Sequence, residues 1–225
     1  MARPSKRSQS QSRSMILQGA VKLFLERGYS ESRMADIAKE ANVSYNEVFR
    51  VFGDKEGILC ELVGFVVEGQ FEAVEKLLKG KTDDLLFTYA AEATLQLFMA
   101  ESNEGLREMY NVSYSLPNSA KIIYQKMTER LEETFKRFLP DLQTKDFYER
   151  EIASAGIMRN FISVPCDMYF TMKRKIEAFL TTTFLVYEVP KAEIEKAIEF
   201  VLSFDWAQIA KEFLENLFGY LASKI

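Results

Sequence analysis

The sequence predicts an all-α protein, and three observations carry that prediction. Apolar residues recur three and four apart through most of the 225 residues, with no stretch of strand-like alternation. The 10 Gly and 5 Pro cluster at breaks between periodic segments, whereas an all-β fold would spread turn residues throughout. Residues 34–52, MADIAKEANVSYNEVFRVF, read as two short helices joined by a tight turn.

Residues 1–12 (MARPSKRSQSQS) carry no acid and no periodic apolar face, which predicts a disordered tail in the free chain. The same stretch makes a basic arm, with Arg3, Lys6 and Arg7 placed for phosphates or a minor groove. The first helix is expected from about Ser14 to Arg27, with Ile16, Leu17, Ala20, Val21, Leu23 and Phe24 inward and Gly28 as C-cap. Ser32 is a fair N-cap for the second helix, which turns Ile37, Ala38 and Ala41 to one face. Asn42 stands where the turn needs a residue tolerant of the left-handed conformation. Ser44-Tyr45-Asn46-Glu47 follows as an S-x-x-E capping box. In it the Ser44 hydroxyl accepts the Glu47 amide and the Glu47 carboxylate reaches back to the Ser44 amide. Such a cap is worth roughly 1 kcal/mol, enough to set where the third helix begins.

A fourth helix opens near Asp54, a suitable N-cap, and places Lys55 for a phosphate at its positive end. Its apolar residues from Ile58 to Phe71 wrap most of the circumference, the pattern of a helix buried on several sides. Further helices are expected over 85–99, 104–114 and 120–138, the last ended by Pro140. Residues 147–162 make the next, which Pro165 breaks or restarts. Residues 168–187 follow, then 192–202 behind a first-turn Pro190. The last segment, 205–222, carries two adjacent apolar rows from Trp206 to Leu221.

Charge is divided unevenly along the chain. Residues 1–57 hold ten of the 29 Lys/Arg and seven of the 33 Asp/Glu, leaving 19 basic against 26 acidic residues in the rest. A basic head on an acidic body outweighs the net charge of −4 as an indicator of a nucleic-acid partner. The absence of histidine excludes imidazole chemistry. No Cys-x-x-Cys or Gly-rich phosphate loop appears, and the adjacent acids Asp83-Asp84 and Glu132-Glu133 point to different helix faces. The expectation is therefore a non-enzyme, with no catalytic residues, no metal and no cofactor. Cys60 and Cys166 read as free thiols of a reducing compartment. No apolar run reaches the ~18 residues of a membrane span, and the amino terminus lacks a signal peptide's apolar region, so a soluble cytoplasmic protein is expected.

With its flanks, the two-helix unit resembles the DNA-binding domain of the tetracycline-repressor (TetR) family. The resemblance rests on Leu23-Phe24 with Gly28-Tyr29, Asp36-Ile37-Ala38, Val43-Ser44, Phe49, Phe52 and Lys55, in that order. It covers about fifty residues. It implies a three-helix DNA-binding domain at residues 1–57 and a larger helical ligand-binding and dimerisation domain at 58–225. A regulator of that family, typically a repressor, would bind a pseudo-palindromic operator as a homodimer and leave it on binding a small, largely apolar effector.

Within the reader, Tyr45, Asn46, Glu47 and Arg50 lie between the apolar positions. Asn46 can pair with adenine and Arg50 with guanine. The resemblance adds Arg33, Ser44, Phe49 and Lys55 to the DNA-contacting set. The chain departs from the family's pattern in Asn46-Glu47, where Gly-Thr is usual, and in Phe49, which lacks the usual Tyr hydroxyl. An unusual operator with fewer phosphate contacts from this helix is expected. The body's aromatic and sulfur-rich middle supplies ligand candidates: Tyr89, Tyr110, Asn111, Tyr114, Met158, Phe161, Cys166 and Tyr169. The last long helices supply a dimer face, through Phe179, Phe184, Phe213, Leu214, Leu217, Phe218 and Leu221. The competing reading is a DNA- or protein-binding module on the same fold, its body solid core without small-molecule control.

Overall fold

The computed structural model describes residues 9–223, with the side chains of Phe218 and of residues 220–223 outside the described set. The described residues form eleven helices and no strand. The first four are α1 (Gln9–Arg27), α2 (Met34–Glu40), α3 (Tyr45–Phe52) and α4 (Lys55–Leu78). The body adds α5 (Leu85–Ser102), α6 (Glu104–Ser113), α7 (Pro117–Phe135), α8 (Thr144–Ser163) and α9 (Met172–Val186). It ends with α10 (Lys191–Leu202) and α11 (Trp206–Ser223).

Local chemistry sets most boundaries. Gly28 ends α1 at φ +86°, its amide bonded to the Phe24 carbonyl at 3.0 Å. Asp54, Asp84, Asn103 and Thr171 each accept an amide in the first turn of the helix that follows. Three boundaries differ from expectation. Helix α1 is already formed at Gln9, the first described residue, ahead of the expected Ser14; within it Ser12 is wholly buried and its hydroxyl donates to the Glu47 carboxylate of α3. The tertiary contact draws polar residues into a helix. Helix α7 starts at Pro117 itself, whose missing amide costs nothing in a first turn. Helix α9 starts only at Met172, because the Asp167 carboxylate takes the amides of Tyr169 and Phe170, both at 2.7 Å, and holds the chain in a turn.

Helix α5 is the axis of the body. Ala90, Ala91, Leu95, Leu97 and Met99 are buried, and α4, α7, α8, α9, α10 and α11 all pack against it. Its alanines let neighbouring helices approach closely. Tyr89 meets Phe135 edge-on at 5.3 Å, and Phe135 stacks on Tyr187 at 3.9 Å. Two residues of the expected dimer face lie inside the protomer. Phe179 and Phe184 are 0% exposed, Phe179 against Phe161 and Phe184 between Tyr89 and Phe135. Phe213 packs on Gly69 of α4, while Leu214 and Leu217 face Val21, Leu25 and Phe65. The apolar rows of α11 thus cover α1, α4 and α5 of the same protomer. Phe218 and Leu221 lie outside the described side chains. Large apolar groups left exposed in the body are instead Leu85 on α5, Ile152 on α8, Leu185 on α9, and Val164, Met168 and Tyr169 in the loop between α8 and α9.

Candidate nucleic-acid interface and ligand cavity

The two-helix reader is built as its residues dictate. Asn42 takes φ 51° in the turn, and the Ser44 hydroxyl accepts the Glu47 amide at 3.1 Å. Ile37, Ala38 and Val48 are buried beneath it. Tyr45, Asn46, Phe49 and Arg50 share the outward face one turn apart, with Tyr45 52% and Phe49 59% exposed. Two neighbouring aromatic rings left in water on a short helix mark a surface that meets something. Arg33 is exposed at the start of α2.

Three expected features are corrected. The Glu47 carboxylate does not close the capping box; it accepts from Ser12 and lies 3.8 Å from the Arg50 guanidinium, tying α1 to α3. That pairing spends part of its negative charge near the reading face. Lys55 is not presented to phosphate. Its ammonium donates to the carbonyls of Tyr29 at 2.7 Å and Ser32 at 3.0 Å and lies over the Tyr29 ring. Ser32, expected to cap α2, instead donates to the Gly28 carbonyl at 2.7 Å. Arg3, Lys6 and Arg7 lie outside the described residues.

Two carboxylates are among the ties between head and body. Glu108 of α6 accepts the Ser30 amide at 2.9 Å. Glu56 of α4 accepts the Asn118 amide, at the start of α7, at 2.8 Å. Gly105 lets α6 press on the end of α1: a Cβ there would lie 2.9 Å from Leu25 Cα and closer still to the Phe24 carbonyl.

Inside the body, two small chambers adjoin along α4. The larger, about 50 Å³, is lined by Tyr89, Glu92 and Gln96 of α5, Glu151, Ser154 and Met158 of α8, and Tyr114, with Gln70 and Phe71 of α4. The second, about 40 Å³, is nearly apolar and bounded by Leu59, Val63, Met109 and Tyr110. Gln96 and Tyr114 line both, and the Gln96 amide donates to the Tyr114 hydroxyl at 2.8 Å. Of the ligand candidates, Tyr89, Tyr110, Tyr114 and Met158 line these chambers. Asn111, Phe161, Cys166 and Tyr169 line neither. Phe161 packs on Phe170 and Phe179. Tyr169 is exposed, and the Cys166 amide is bound by Glu101 at 2.9 Å. That loop is anchored by Lys175, 1% exposed, whose ammonium donates to Glu101 at 2.8 Å and to the Val164 carbonyl at 2.6 Å.

Sequence reasoning missed the polar lining. Glu92 is buried, and burial raises its pKa to about 7 against the opposing pull of Arg130, whose guanidinium binds it and lies 3.8 Å over the Phe71 ring. Glu151, 4% exposed, is raised by burial to about 8, offset only by the Ser154 hydroxyl, which bonds it at 2.7 Å and meets the Tyr187 hydroxyl at 2.9 Å. The signal was present. Glu151 shares a face with Phe147, Ser154 and Met158 at i−4, i+3 and i+7, an acid in the middle of an inward stripe.

Comparison with known proteins follows the same lines. A family model described as "Bacterial regulatory proteins, tetR family" matches residues 16–62. The HTH-type transcriptional regulator HbdR of Aromatoleum sp. (strain CIB) is 34% identical over 70 residues, 31% of this chain and 31% of that protein. The chain thus matches about a third of that relative's length. Among solved structures, RolR in complex with resorcinol aligns with TM-score 0.66 at 17% identity, over 84% of this chain and 94% of that one. SmeT, the repressor of the Stenotrophomonas maltophilia multidrug efflux pump SmeDEF, aligns with TM-score 0.55 at 18% identity, over 79% and 91%. At such identities the likeness is one of fold: an all-helical body behind an amino-terminal helix-turn-helix.

Proposed function

We propose that this chain, whose residues 16–62 are a helix-turn-helix domain of the tetR family, is a homodimeric transcriptional regulator that a small molecule releases from its operator. The observation that carries the DNA-binding part is the outward quartet Tyr45, Asn46, Phe49 and Arg50 on a helix capped by Ser44. Asn46 and Arg50 read base edges, Tyr45 and Phe49 meet sugar or thymine methyl groups, and Arg33 meets phosphate. The protein works in the cytoplasm, where the DNA is.

The sensing part is supported by the chambers and by the ties between body and head. A ligand seated between α4, α5, α7 and α8 displaces α4 and α6, which Glu56 and Glu108 connect to Asn118 and Ser30. Moving those ties re-aims α1 and the reader, lowering operator affinity by a coupling of ~1–3 kcal/mol. That RolR is solved with a ligand, and SmeT named a repressor, supports the same reading. The rival, a regulator without small-molecule control, draws its support from the chambers' size. At about 50 and 40 Å³ each is well below the roughly 150 Å³ that accepts benzene. Selection of random duplex DNA on the purified protein is the test. The wild type is expected to enrich a two-fold sequence, and Asn46→Ala with Arg50→Ala to enrich none while remaining a dimer. Unchanged enrichment by the double variant overturns the assignment of the reader.

A further inference from the structure

We propose, resting on that sensor reading, that the effector is an organic monocation with an apolar or aromatic body, its cationic head bound by Glu151. The larger chamber holds two buried carboxylates that differ in one respect. Glu92 already has an organic cation, the Arg130 guanidinium, seated against it and over the Phe71 ring. The cavity wall therefore accommodates a carboxylate, a cation and an aromatic face together. Glu151 faces the same cavity with no basic group in ion-pair range among the described residues. Its charged and titratable surroundings are the phenols of Tyr89, Tyr114, Tyr124 and Tyr187, all neutral at physiological pH, and the Glu92–Arg130 pair. A buried carboxylate without a counter-cation, beside the rings of Tyr89 and Tyr114, is a site an ammonium or amidinium completes.

Two consequences follow from the geometry. The ligand's body needs more room than one chamber offers, so it parts the Gln96–Tyr114 bond and enters the apolar chamber beyond. Its charge ionises Glu151, which at pH 7 is mostly protonated, so the proton on that carboxylate passes to solvent as the cation seats. A neutral ligand of the same shape releases none.

The probe pair is benzylammonium and its neutral isostere benzyl alcohol, titrated calorimetrically into the full chain in buffers of different ionisation enthalpy. Benzylammonium is expected to bind at least tenfold tighter, to release close to one proton at pH 7, and to gain affinity as pH rises towards 8. Glu151→Gln is expected to remove that tenfold preference and the proton release, with circular dichroism reporting that the variant is folded. Equal affinity for the two probes, or a preference that survives Glu151→Gln, overturns the cation assignment and leaves a sensor of neutral ligands. Binding of neither probe at millimolar concentration overturns the assignment together with the sensor reading beneath it.

Discussion

Glu151 keeps its proton near neutrality because the folded body removes the carboxylate from water and offers it one hydroxyl in exchange. A carboxyl raised from 4.5 to about 8 binds a proton in the folded state that the unfolded chain has already lost, so stability falls as pH rises across that window. Glu92 adds the same sign up to about 7. The melting temperature is expected to drop by at least about 5 °C between pH 5 and pH 8. Glu151→Gln should flatten that slope, as a thermal denaturation series would show; a slope unchanged by the variant would place the titrating group elsewhere. Lys55 makes the opposite kind of residue-scale case. Its ammonium serves the Tyr29 and Ser32 carbonyls, so Lys55→Ala should cost roughly 1–3 kcal/mol of stability in denaturant unfolding. The salt dependence of operator binding should stay as it is, whereas Arg33→Ala, which removes a phosphate contact, lowers that slope by about 1. The role of Lys55 was not legible in the sequence, and that of Glu151 only through its neighbours on the inward stripe of α8. Periodicity infers the inward face from apolar residues and therefore counts an acid such as Glu151 as outward. A lysine's three donors go to whichever carbonyls the fold leaves open, which is decided 23 and 26 residues away.

Among the elements, the reader was legible because its determinants are local: the left-handed Asn42, the Ser44 cap and the spacing of Ile37, Ala38 and Val48 all act within one or two turns. The helices of the body were legible as helices for the same reason. What covers each apolar stripe was not, since a stripe states only that something must, and the rows of α11 meet their own protomer. Helix α6 shows the limit most clearly. Expected only as one more short helix over 104–114, it is an element through which the body presses on α1, by way of Gly105 and Glu108. Gly105→Ala forces a methyl group against the backbone of Phe24 and Leu25, which cannot yield as a side chain would. The variant is expected to lose about 1–3 kcal/mol of stability and to change operator affinity with no ligand present, because α6 must back away from α1. Gel-shift titration of the apo-protein measures the second effect. Operator affinity equal to wild type would mean that the α1–α6 contact does not position the reader.

At the scale of the whole molecule, the surface that remains apolar is the best guide to assembly. Leu185 is 62% and Ile152 47% exposed on neighbouring helices α9 and α8, and Gly156 on α8 has open space where a Cβ would be. A face with large groups beside a bare backbone suits close packing of two helices against their own copies about a two-fold axis. Such a dimer would present two α3 helices to successive major grooves, as the proposed binding to a two-fold operator needs. Helix α11 offers the competing face, yet its buried Trp206, Ala210 and Phe213 are already committed to the protomer. The two arrangements separate cleanly under mutation. Ile152→Asp with Leu185→Asp adds charge only to exposed positions, so it should give a monomer of native helix content by sedimentation and circular dichroism. Specific operator binding should then fall to the non-specific level, because one reader alone forfeits the second half-site. Leu214→Asp should instead destabilise each protomer by introducing a charge into the α1–α4–α11 seam. A dimer that survives the first pair but dissociates, still folded, with the second would move the interface to α11.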